Sequence, residues 1–136
     1  MKLIETPIKG CYILDFFTAE DQRGNFTKTF HAPILREAGL EDRFEESFYS
    51  SNHKGVIRGM HFQNPPSDHV KIVYCNAGAL IDVVVDLRKS SVTYGKTFHL
   101  ELTGCNHRGL YIPKGLAHGF ETFEDGGKQI FDQLYS

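Results

Sequence analysis

A chain of 136 residues is long enough for one compact domain and short for two, so a single domain over 1–136 is expected. The 40% of hydrophobic residues, with eleven Phe, six Tyr and no Trp, is ordinary for a soluble globular core. A net charge of −2 argues against a nucleic-acid or membrane-surface partner, no apolar run approaches the ~20 residues of a membrane helix, and MKLIETPIKG is too polar and interrupted for a signal peptide.

From the amino terminus, short runs rich in Val, Ile, Tyr and Phe predict strands at 2–5, 11–17 and 25–30. HAPILREAGL then reads as the one helix, with Pro33 suited to its first turn and Gly39 to its stop. Further strands follow at 45–51, 56–62, 70–76, 79–87, 96–102, 109–112, 117–123 and 128–134, separated by Gly, Pro, Asn and Asp. The clearest is ALIDVVVDLR: Ile81, Val83, Val85 and Leu87 share one face, and Leu80, Asp82, Val84, Asp86 and Arg88 the other. The second, mixed face suits either a wet cavity or an outer surface. Cys11, Cys75 and Cys105 lack C-x-x-C spacing and fit buried thiols in a reducing cytoplasm rather than a disulfide framework. Many short strands with one helix predict an all-β sandwich or barrel, and at this length a double-sheet jelly roll with a ligand site between its sheets.

Chemistry concentrates in VIRGMHFQNPPSDHVKIVY. Lys71 lies within an otherwise apolar strand, where an ammonium must snorkel, pair or face a polar cavity, and Arg58 poses the same problem one strand earlier. Together with His61 they point to an anionic ligand or a reaction that develops negative charge. Residues 58 and 61 have opposite parity, which a regular strand sends to opposite faces. Gly59 between them marks a bulge or bend that re-aims His61, or else Arg58 serves another part of the site or a neighbouring subunit.

In GLYIPKGLAHGFETF, Pro113-x-Gly115-x-x-His118 matches the second sequence motif of the cupins, a turn that delivers a histidine into the barrel. The His-x-His pair of the first cupin motif is lacking, and His61 and His69 are eight apart with two prolines between them, so no bound metal is expected.

DQRGNF, VIRGMHFQ, HVKIVY, DVVVDLRKSSVTYGK and LYIPKGLAHGF, in this order, resemble the dTDP-4-dehydrorhamnose 3,5-epimerases over about residues 10–123. The resemblance implies a metal-free cupin jelly roll that needs no cofactor and acts on a nucleotide-diphosphate 4-keto-6-deoxy sugar, in the usual setting of rhamnose-type polysaccharide synthesis. It implies a homodimer with exchanged N-terminal strands. It gives His61 as general base, Lys71 near the keto oxygen, Arg23 and Arg58 on the diphosphate or sugar, and His118 as a further substrate residue. This agrees with the chemistry of the side chains. A C4 ketone acidifies the hydrogens at C3 and C5, a neutral imidazole is a suitable base at cytoplasmic pH, and an ammonium in a poorly solvated pocket stabilises the enolate oxygen. Guanidinium groups offer a diphosphate a bidentate fork.

The chain departs from this pattern in three places. The family's proton-returning tyrosine falls on Phe131, a core aromatic or substrate contact; Tyr135, four residues on and on the same face, or water, is the substitute donor. The family's base pairs with an aspartate from a C-terminal region, whereas this chain stops at Ser136, leaving Asp82 or Asp86 to stand in. Lys28 replaces a frequent glutamate after RGxF, and ESFY, Glu46 to Tyr49, replaces QDNH, both substrate-binding segments in relatives, which opens the identity of the base and sugar. An epimerase of both carbons or of one, and a binding protein that has lost turnover, are the expected alternatives.

Overall fold

The computed structural model describes residues 1–123 and 129–136. It contains β1 (Lys2–Glu5), β2 (Tyr12–Asp15), β3 (Phe17–Asp21), β4 (Gly24–Lys28), α1 (Ala32–Glu37), β5 (Glu46–Asn52), β6 (Ile57–His61), β7 (Lys71–Ala77), β8 (Ala79–Asp86), β9 (Thr97–Thr103), β10 (Arg108–Ile112), β11 (Leu116–Thr122) and β12 (Gln129–Tyr135). A six-stranded sheet, β1-β2-β10-β7-β12-β5, faces a four-stranded one, β6-β11-β8-β9, and β3-β4 form a separate hairpin. Among the described residues the strands pair antiparallel throughout, as in a jelly roll. Among the described residues no helix is long and apolar enough to cross a membrane.

Apolar residues on the inward faces build the inter-sheet core, from Val73 and Cys75 on β7 and Leu110 and Ile112 on β10 to Leu80, Val84, Leu100, Leu102, Leu116, Phe120 and Phe131. The mixed face of β8 is the inner one: Leu80, Asp82, Val84 and Asp86 are buried, and Ile81, Val83 and Val85 are only partly so. Each core side chain of this size contributes about 1.5–3 kcal/mol on leaving water. The outer face of the six-stranded sheet carries a second core, Leu14, Ile72 and Tyr111 under Leu35 of α1. Burial on both faces explains why KIVYC reads as a continuous apolar run without alternation. Pro33 opens α1, and Gly39, at φ +74°, follows its end as expected.

The predicted strand over 11–17 is in fact two. Phe16 is buried in the second core and its N–H bonds to the His107 carbonyl at 3.0 Å, so the chain leaves the sheet there and turns into the β3-β4 hairpin. Strand β3 (FTAED) escaped the sequence reading because it is largely exposed and lacks alternation. Residue 128, the first of the last predicted strand, lies outside the described residues.

Strand β6 carries the irregularity that Gly59 announced. It pairs with β11 as His61↔His118 and then Arg58↔Phe120, so three steps on β6 match two on β11. A Cβ on Gly59, whose φ is +133°, would fall 2.6 Å from the Gly119 Cα, and one on Gly119 would fall 2.7 Å from the Arg58 carbonyl oxygen. The close approach of the two strands therefore depends on both glycines. The extra residue reverses the parity of β6 and turns Arg58 and His61 toward one cleft.

Candidate active site

That cleft, about 140 Å³, lies between the sheets and is lined by Arg58, His61, Lys71, His118, Gly119, Phe120, Gln133 and Tyr135. Arg58 and His61 come from β6 and His118 from β11, in the four-stranded sheet; Lys71 begins β7, and Gln133 and Tyr135 end β12, in the six-stranded sheet. Imidazoles therefore line one wall, and an ammonium and a phenol the other. His61 is exposed, at the open side.

His118 is 4% exposed, and its Nε2 lies 2.6 Å from Asp82 Oδ1. Burial pushes the Asp82 carboxyl above its ordinary range, against the pull of His118 and of Lys71, and its Oδ2 has no hydrogen-bond partner among the described residues. Lys71, 8% exposed, is pushed below the ordinary lysine range by burial and partly restored by the Asp82 carboxylate. Its Nζ stands 5.3 Å from the centre of the Tyr135 ring, which also stacks on His69 at 4.2 Å and meets Phe48 edge-on at 4.9 Å. The Tyr135 hydroxyl donates to Gln133 Oε1 at 3.0 Å. Burial, and then the charge of Glu46, raise its pKa, which keeps it a protonated phenol. Arg58 donates from Nε to Asn52 Oδ1 at 2.9 Å, and the buried Asn52 amide donates in turn to the Ser50 carbonyl and hydroxyl. This contact uses Nε and leaves the donors of the two terminal nitrogens for another partner.

Of the nine residues singled out from sequence, the cleft gathers Arg58, His61, Lys71, His118 and Tyr135. Phe131 lies behind it, fully buried, its ring centre 4.4 Å from that of Phe120 and 6.0 Å from that of His118. It serves as packing that holds the histidine ring. Glu46 opposes Tyr135 in register but is exposed and lines a neighbouring groove with Phe30, Arg43 and Phe44. Arg23 and Lys28 are on the hairpin, away from the cleft; Arg23 is exposed and paired with Asp21 at 2.6 Å.

Neither acid proposed to support His61 does so. Strand β11 separates β6 from β8, so Asp82 meets His118 instead. Asp86 accepts from Arg88, Ser91 and Thr93, whose hydrogen bonds outweigh its burial and hold it well below the usual carboxylate range. Sequence reasoning missed Asn52 and Gln133; the one available signal for Gln133 is its parity with Phe131 and Tyr135. Among the described residues no group of three or more His, Cys, Asp or Glu is arranged to hold a metal ion.

Residues 5–133 match the family model described as dTDP-4-dehydrorhamnose 3,5-epimerase. The relative of that name from Shigella flexneri is 38% identical over 132 residues, 96% of this chain and 73% of its own length. A dTDP-4-dehydrorhamnose 3-epimerase from Streptomyces niveus is 36% identical over 126 residues, 92% of this chain and 61% of that protein. Among solved structures, the Legionella pneumophila dTDP-6-deoxy-D-glucose-3,5-epimerase in complex with dTDP-4-keto-L-rhamnose superposes with a TM-score of 0.91 at 36% identity, over 98% of this chain and 70% of the other.

Proposed function

Since the chain belongs to the dTDP-4-dehydrorhamnose 3,5-epimerase family, we propose that it epimerises a dTDP-linked 4-keto-6-deoxy sugar through an enolate, with His61 as base, Lys71 steadying the oxygen and Tyr135 returning a proton. The observation that carries this reading is the placement of His61 and Tyr135 on different sheets across one cleft, with Lys71 beside the phenol. Inversion needs removal and return of the proton on opposite faces of the sugar, and two facing walls meet that need.

Neutral His61 takes the hydrogen from a carbon beside the ketone; the C–H electron pair becomes the C=C bond of the enolate, and the carbonyl π pair moves onto the oxygen. The Lys71 ammonium and the Asp82-held His118 ring stabilise the charge there. The Tyr135 O–H bond then breaks toward the other face of that carbon and leaves a phenolate near the Lys71 cation. Loss of a proton from His61 to solvent and gain of one by the phenolate restore the site. Arg58, fixed by Asn52, holds the diphosphate. In deuterated buffer, with dTDP-4-keto-6-deoxyglucose, proton NMR is expected to show deuterium entering the sugar with inversion; tight binding without exchange would sink the reading.

A second reading, inversion at one carbon, draws on Phe131. With that ring sealed in the core, Tyr135 is the phenol lining the cleft among the described residues. The Streptomyces niveus relative is named for one position. Deuterium at C3 alone, or at C5 alone, selects this reading over the double epimerase.

We also infer a homodimer in which the partner's β3-β4 hairpin brings Arg23 and Lys28 to the cleft. The hairpin pairs only with itself among the described strands and exposes Phe17 and Phe26, and β5 has a free edge. Sedimentation equilibrium is expected to give twice the chain mass, and a monomer at micromolar concentration would end the idea.

A further inference from the structure

Gln133 is a buried neutral amide among the charged and aromatic side chains of the cleft. It is 9% exposed, stands between Phe131 and Tyr135 on the inward face of β12, and opposes Val73 and Phe48 in register. A carboxamide offers one acceptor and two donors. Oε1 takes the Tyr135 hydroxyl at 3.0 Å, and among the described residues nothing accepts from Nε2. The side chain lines the cleft, so its free donors meet whatever occupies it.

Resting on the reading of the site given above, we propose that Gln133 is the positioning residue for proton return: its carboxamide holds the Tyr135 hydroxyl in the cleft both before and after the proton leaves. Before transfer, Oε1 accepts from the phenol. When the O–H bond has broken and its electron pair stays on oxygen, a half-turn of the amide presents an N–H of Nε2 to the phenolate. A carboxylate at 133 would serve the first state and repel the second, and a leucine would serve neither.

Enolisation and inversion are separable in one experiment. Solvent deuterium enters whenever His61 removes and returns a proton, because His61 is exposed and trades protons with water. Inversion also needs the opposite wall. The ratio of inversion to exchange, followed by NMR, therefore reports on Tyr135 and its support alone. Gln133→Leu is expected to retain exchange and to lose about 100-fold in that ratio, the scale of a misplaced general acid. Gln133→Glu is expected to show a low ratio that rises as pH falls, since a protonated carboxyl again has both an acceptor and a donor. The other charged or titratable neighbours, Arg58, His61, His69, Lys71, His118, Tyr135 and Glu46, are present in both proteins, so the comparison with unaltered protein isolates residue 133. An unchanged ratio in Gln133→Leu overturns this inference alone. Parallel loss of exchange and inversion also overturns it, by showing support of the whole cleft. Absence of exchange in the unaltered protein overturns both this inference and the reading of the site.

Discussion

Replacing His61 by alanine is expected to slow deuterium entry beside the ketone by about 10²–10⁴-fold, the range of a positioned general base, while calorimetric affinity for dTDP stays nearly intact. Strand β6 sets the geometry behind this expectation. Without its bulge the pleat would send Arg58 and His61 to opposite faces, and one would be lost to the cleft. With it, Arg58 and His61, the proposed diphosphate ligand and the proposed base, share a wall. They stand three positions apart along the chain, so alanine at 61 removes the ring without disturbing the Arg58–Asn52 contact. His61 opposes His118 in register, which makes His118 the competing base. Its Nε2 is already engaged by Asp82, and it lies deeper, against Phe131. Exchange that survives in His61→Ala but falls in His118→Ala would transfer the role to His118. Loss in both, with dTDP affinity kept, fits a base and an oxygen-stabilising partner on adjacent strands.

Much of this architecture was legible in the chain because period-two patterning survives where one face of a strand is buried. Strand β8 showed it plainly, with two acids on one face, and the structure makes that face the inner one. The pattern faded where both faces are buried, as in β7, and where neither is, as in β3. The cleft was legible through misfit: an ammonium and a guanidinium inside apolar strands, and a glycine that disturbs parity. What the sequence hid was the order of strands. Asp82 looked available to His61, yet β11 intervenes, and only the order β6-β11-β8 gives the acid to His118. Arg23 hid for a related reason, since its local motif says nothing about which way a free hairpin points. Gln133 carried no misfit signal of its own. Asp132 and Gln133 are adjacent and take opposite faces of a strand, so the pattern of IFDQLY does not say which of them turns inward, and burial of Gln133 beside Phe131 does.

Lys71→Met is expected to slow exchange and inversion together by about 10²–10³-fold, as loss of an oxyanion-stabilising group does. Its effect on stability runs the other way. Burial disfavours the charged form of Lys71, and the Asp82 carboxylate offsets only part of that, so the folded-state pKa lies below the unfolded one. The unfolded chain therefore holds more protons between the two values, and the unaltered protein gains stability as pH rises through the folded pKa. At neutral pH the fold bears the cost of a buried ammonium, and methionine, of similar length, removes it while leaving Asp82 with His118. Thermal melts of Lys71→Met are thus expected at or above the midpoint of the unaltered protein, so lost activity cannot be assigned to lost structure. Exchange has the opposite dependence on that proton. On the proposed mechanism it needs the ammonium, so it is expected to fall as pH rises through the Lys71 pKa, below the ordinary lysine range. Lys71→Arg keeps a cation at all accessible pH and is expected to erase this alkaline fall even where the wider guanidinium slows the reaction. An alkaline limb that persists unchanged in Lys71→Arg would assign it to another group. Near-normal exchange in Lys71→Met would mean that His118 carries the oxygen's charge without the lysine.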